Sequence, residues 1–102
     1  MSLEEQFGAK LRASISVCHE LGYRPTRFTN MLDSIGARAT AARLVVNGDM
    51  QTGFKELVDR GRPELTMESI MLQPEFASLF KPAELEAARW RLKQAGVHLA
   101  AD

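Results

Sequence analysis

Apolar residues recur every three or four positions along most of this chain, the spacing that buries one face of an α-helix. The first stripe contains Leu3, Phe7, Leu11, Ile15, Cys18 and Leu21. Ser2 with Glu5 three residues later forms a capping-box pattern, and Gly22 suits the left-handed end of a helix. The pattern predicts a long first helix between Ser2 and Gly22.

Two shorter helices are predicted next. Pro25 suits the start of the second helix, whose apolar face is formed by Phe28, Met31, Leu32 and Ile35, and Gly36 ends it. The alanine-rich segment 37–46 predicts a third helix that turns Ala41, Leu44 and Val45 inward. Asn47-Gly48 is expected to close it.

Short helices are also predicted for the second half of the chain. Thr52 and Thr66 are candidate caps, Pro74 and Pro82 suit first helical positions, and Gly61 and Gly96 suit helix ends. Four apolar residues are expected to join the stripe of the first helix in one core: Phe54, Leu57, Phe76 and Phe80.

The strand pattern, an alternation of apolar and polar residues, extends over no more than a few positions. We therefore predict an all-α protein, a compact bundle of six to seven short helices that forms a single domain over residues 1–102.

Charge and cysteine content narrow the function classes. Thirteen basic residues balance thirteen acidic ones, so the chain lacks the positive charge typical of proteins that bind nucleic acids or anionic membranes tightly. Cys18 has no second cysteine to pair with, and the first ten residues lack the apolar segment of a signal peptide. We expect a cytoplasmic protein that does not bind membranes.

Residues with catalytic chemistry are few and scattered. Cys18 and His19 are neighbours, but adjacent residues on a helix point about 100° apart and do not face each other. One cysteine with two distant histidines is too small a set for a metal site. Carboxylates near helix starts, such as Glu68, fit the helix dipole. We expect no catalytic residue, cofactor or metal, and hence no enzyme.

DNA binding is the alternative function. Residues 22–46 carry four arginines against one aspartate, a local charge of +3. Helices joined across Gly36 would form a helix-turn-helix over about residues 25–46, with 37–46 as the recognition helix. Its candidate nucleic-acid contacts are Arg27, Arg38 and Arg43. Leu32 weakens the motif, because a small residue usually occupies that position.

Protein binding is the function that we favour over DNA binding. Trp90 lies off the stripe of Leu85, Ala88 and Leu92 in the last helix, where it either covers the core edge or anchors a partner. Met67 and Met71 are expected to widen that apolar surface. The low net charge also favours association with a second copy, as in a homodimer.

Several short motifs resemble a family of small bacterial helical proteins of unassigned function. They include Gly22-Tyr23 with Pro25-Thr26, Gly53-Phe54, Gly61-Arg62, Leu65-Thr66 with Glu68, Pro74-Glu75-Phe76, Leu79-Phe80, and Arg89 with Arg91-Leu92. The likeness covers about three quarters of the chain and departs at Lys81, where the family tends to have threonine. It implies a stand-alone bacterial protein and brings no activity, cofactor or partner.

Overall fold

The structure is all-helical, which confirms the predicted fold class. The computed structural model describes residues 1–46 and 52–98, and within these ranges it contains no strand. Its α-helices are α1 (Leu3–Glu20), α2 (Thr26–Ile35), α3 (Ala37–Val46), α4 (Thr52–Asp59), α5 (Met67–Met71) and α6 (Pro82–Gln94). Two 3₁₀ helices, Pro63–Leu65 and Pro74–Leu79, flank α5.

The starts of α1 and α5 follow the predicted capping chemistry. The backbone N–H of Glu5 donates to the Ser2 hydroxyl (3.1 Å), and the N–H of Ser2 donates back to the Glu5 carboxylate (2.9 Å). At α5, the N–H of Ser69 donates to the Thr66 hydroxyl (3.2 Å). Thr52, the candidate cap of α4, is the first residue of that helix. The turn predicted at Asn47-Gly48 lies outside the described residues.

Helix α4 ends in a left-handed glycine, as predicted. Gly61 has a φ of +74°, which lets the N–H of Arg62 reach the carbonyl of Leu57 (2.9 Å) and its own N–H reach that of Val58 (3.0 Å). This pair of bonds is a Schellman motif. It turns the chain sharply into the first 3₁₀ helix.

The core is built around Phe7. Its ring lies edge to face with Phe76 (centroids 5.4 Å apart) and Phe80 (5.2 Å apart), so α1 is joined to the second 3₁₀ helix and the residue after it. Helix α3 packs against α1, α2, α5 and α6, which places it at the centre of the bundle. The radius of gyration, 12.5 Å, is close to the ~13 Å expected for a compact chain of about 100 residues.

Two predictions about burial need correction. Phe54 and Leu57 are buried, but they lie outside the main core cluster that contains Phe76 and Phe80. Ile35 is 36% exposed, because it lies at the end of α2, beyond Leu32, which is the fully buried residue of that helix. No helix among the described residues is both long and apolar enough to cross a bilayer.

Replacement of Phe76 by alanine should lower the free energy of unfolding by about 3–5 kcal/mol, because it leaves a cavity beside Phe7. Urea denaturation followed by circular dichroism measures this loss. Ile35→Ala, which shortens a partly exposed side chain, serves as the control and should cost less than about 1 kcal/mol. Equal midpoints for the two variants would contradict the packing around Phe7.

Replacement of Gly61 by valine should cost about 1–2 kcal/mol or more, because a β-branched residue is strained at positive φ. A Cβ added there meets no atom within 4 Å, so the loss would come from the backbone alone. Gly8→Ala is the control. Gly8 lies inside α1, and a Cβ added there makes ordinary contact with Ala37 of α3 at 3.5 Å. Thermal denaturation should show the control as neutral or stabilised by up to about 1 kcal/mol.

Candidate functional site

The outer face of α6 presents a large aromatic side chain to solvent. Trp90 is 61% exposed, whereas the phenylalanines and the tyrosine in the described ranges are buried or half-buried. Exposed polar residues flank it one turn away on either side, Glu86 before it and Lys93 and Gln94 after it. We refer to the helix surface around Trp90, Glu86, Lys93 and Gln94 as the α6 outer face. It is an apolar centre within a charged border.

A buried ion pair fixes α6 on its inner side. Arg91 donates from Nη1 to the Glu68 carboxylate (3.0 Å) and from Nη2 to the carbonyl oxygen of Leu44 (2.8 Å). The two charged side chains are only 5% and 2% exposed. One guanidinium therefore joins α6 to α5 and to the carboxyl end of α3, directly beside the exposed Trp90.

Burial dominates the electrostatics of this pair. The loss of hydration raises the pKa of Glu68 above its ordinary range, while its own backbone N–H and Arg91 act in the opposite direction. Sequence reasoning treated Glu68 as a dipole-stabilising carboxylate and did not predict the pair. The signal was present in α6, since Arg91 shares the buried stripe of Ala88 and Leu92, and a buried arginine needs a partner.

Of the three residues predicted to form a partner surface, only Trp90 is exposed. Met67 is 8% exposed and Met71 is fully buried, and both belong to the hydrophobic core. The reason is that α5 has only five residues and packs against α1, α3 and α6, so it has little surface left. The prediction that these methionines form a binding surface is therefore wrong.

The three arginines predicted to contact DNA are exposed. Arg27, Arg38 and Arg43 form no ion pair with any residue that the structure describes. A single residue, Gly36, separates α2 from α3, whereas the turn of a helix-turn-helix usually has three or four residues. The contacts of α3 with four other helices also cover most of its surface.

Cys18 and His19 diverge in the structure. Cys18 is buried, and that burial raises the pKa of its thiol, while His19 is exposed at the surface of α1. In the described part of the chain, no three residues among His, Cys, Asp and Glu are grouped so that they could hold a metal ion.

No protein-family model, curated protein or solved structure matches this chain. The resemblance to a family of small bacterial proteins stays a prediction.

Replacement of Arg91 by methionine should cost about 3–5 kcal/mol at neutral pH, because it leaves the Glu68 carboxylate buried without its cation. The loss should shrink as the pH falls. Without Arg91, the pKa of Glu68 in the folded state rises further above the unfolded value, so the stability of the variant decreases as the pH rises through this interval. The loss should be smallest below the unfolded value of about 4.5, where the Glu68 carboxyl is protonated in both the folded and the unfolded chain.

Urea denaturation between neutral pH and about pH 4 tests this expectation. Lys55→Met is the control, because it breaks the exposed pair with Asp59 (2.7 Å) and should cost less than about 1 kcal/mol. If the stability lost in Arg91→Met does not change with pH, the loss comes from packing and from the bond to the Leu44 carbonyl, and not from the Glu68 charge.

Proposed function

We propose that this chain is a cytoplasmic, non-enzymatic helical interaction module, and that the α6 outer face binds a second copy of the same chain. The observation that carries the proposal is the exposure of Trp90 on a helix that a buried ion pair holds in place.

Tryptophan is the residue type most suited to this role. A buried tryptophan contributes about 150–250 Å² of contact surface and is enriched among the residues that dominate binding energies. Trp90 precedes Arg91 in the chain, and the bonds of Arg91 to Glu68 and Leu44 fix the backbone of α6 at that point. Binding would therefore cost little reordering of the helix.

The charges around Trp90 favour a second copy as the partner. Glu86 and Lys93 lie on opposite sides of Trp90 along the helix, and Glu86 also accepts a long bond from Arg89 of the same helix (3.4 Å). In a two-fold arrangement with antiparallel α6 helices, the Trp90 side chains would lie near the axis, and Glu86 of one copy would approach Lys93 of the other. A net charge of zero adds no general repulsion between the copies.

DNA binding is the second candidate, and it rests on Arg27, Arg38 and Arg43, which are exposed and form no ion pair with residues in the described ranges. The one-residue link at Gly36 and the central position of α3 make it the weaker candidate. A recognition helix needs a free face to enter the major groove.

Replacement of Trp90 by alanine should weaken self-association by at least about tenfold, the effect of losing a central aromatic anchor. Sedimentation equilibrium over a range of concentrations measures the dissociation constant. Val46→Ala is the matched control, since Val46 is also apolar and 62% exposed but lies on α3. The double variant Arg38→Ala with Arg43→Ala should associate like the wild type.

Two outcomes would contradict this assignment. A wild-type chain that stays monomeric, but loses a bound protein in pull-downs when Trp90 is changed, would place a different partner on the α6 outer face. A salt-sensitive mobility shift on duplex DNA that the double arginine variant loses and Trp90→Ala retains would favour the DNA-binding function.

A further inference from the structure

The protein has a cavity on a side that does not include Trp90. A cavity of about 370 Å³ opens between α1, α2, α4 and the start of α5. This volume lies within the range of small-molecule sites in proteins, about 300–1,000 Å³. None of the residues that line it belongs to α6.

The walls of the cavity are mainly apolar. Phe28 and Met31 of α2 line it and are only half-buried, and Phe54 and Leu57 of α4 face them from outside the main core cluster. Helix α2 packs chiefly on α3, and α4 packs chiefly on the first 3₁₀ helix, so the two helices leave a gap between them. An apolar gap of this size loses the contacts that close packing would supply, and a bound apolar group would restore them.

Arginine side chains lie among the lining residues where the chain enters α2. Arg24 and Arg27 line the cavity, are exposed, and form no ion pair within the described ranges. The first turn of α2 has no acidic residue, and its N-cap, Pro25, supplies no side-chain hydrogen bond. The positive end of the helix dipole therefore adds to the two guanidinium charges. Glu68 also lines the cavity, but its carboxylate is paired with Arg91.

We propose that this cavity binds a medium-chain monocarboxylate. The carboxylate is held by Arg24 and Arg27 at the start of α2, and the alkyl tail lies between Phe28 and Met31 on one side and Phe54 and Leu57 on the other. At about 30 Å³ for each water-sized group, the volume holds roughly ten to twelve non-hydrogen atoms. Octanoate has this size, with one charged end and one apolar end.

Isothermal titration calorimetry with sodium octanoate tests the proposal, with 1-octanol and octylammonium as probes of the same tail length. Octanoate should bind saturably and more tightly than either. The variant Arg24→Gln with Arg27→Gln should bind octanoate at least about tenfold more weakly, because charge-assisted hydrogen bonds are lost. Its affinity for octanol should change by less than about threefold, since the apolar walls are intact.

Arg38→Gln with Arg43→Gln is the matched control. It removes the same charge from α3, outside the cavity, and should change octanoate affinity by less than about twofold at physiological salt. Met31→Trp, which fills the cavity, should abolish binding of both octanoate and octanol. Circular dichroism checks that each variant is folded. Amide chemical shifts of the wild type should change on α2 and α4 and not on α6, which keeps the test decisive even if Met31→Trp does not fold.

The absence of saturable octanoate binding would overturn the proposal. So would equal affinities for octanoate, octanol and octylammonium, or equal losses in the two double arginine variants. Trp90→Ala should bind octanoate like the wild type, so the outcome is independent of self-association through the α6 outer face.

Discussion

The ion pair between Arg91 and Glu68 holds three helices in one arrangement. Arg91 on α6 binds the Glu68 carboxylate on α5 and the Leu44 carbonyl at the end of α3. Both charges are almost completely withdrawn from water, and such a pair repays its loss of hydration only when its hydrogen bonds are well formed. The pair therefore specifies one relative position of these helices more strictly than apolar contacts alone would.

This arrangement divides the molecule into two sides with different properties. On the α6 side, the inward Arg91 places its neighbour Trp90 outward, so the anchoring of the helix and the exposure of the tryptophan come from the same stretch of backbone. On the other side, α2 and α4 are attached to the bundle mainly through single neighbours. Phe54 and Leu57 of α4 line a cavity outside the Phe7 cluster, and Phe28 and Met31 of α2, which pack against the edge of that cluster, line the same cavity.

The interaction module and the carboxylate site proposed here use these two sides separately. No residue of the α6 outer face lines the cavity. The four exposed arginines of residues 22–46 also divide into two groups. Arg24 and Arg27 lie beside an apolar cavity, whereas Arg38 and Arg43 lie on the central helix without one. The same charge can therefore contribute to a binding site in one place and remain a solvated surface charge in the other.

Local rules were sufficient for most of the helices and for several of their ends. Ser2 and Thr66 cap helices, and Gly61 ends one, because capping and left-handed turns depend on a few neighbouring residues. The buried positions of α1 and α3 also follow from periodicity, which reports which face of a helix is apolar. It does not report how many neighbours cover that helix. Met67 and Met71 were assigned to the surface for this reason, although α5 is enclosed by α1, α3 and α6.

The amino-acid order alone was enough to establish the all-α class, most helix boundaries and the position of Trp90 off the apolar stripe of its helix. The Arg91–Glu68 pair, the burial of the two methionines and the cavity beside Arg24 and Arg27 depend on residues far apart in the chain. Glu68 and Arg91 are 23 positions apart, and Leu44 lies 47 positions before Arg91. Only the packing of the helices brings such groups together, because short-range periodicity carries no information on which helix faces which.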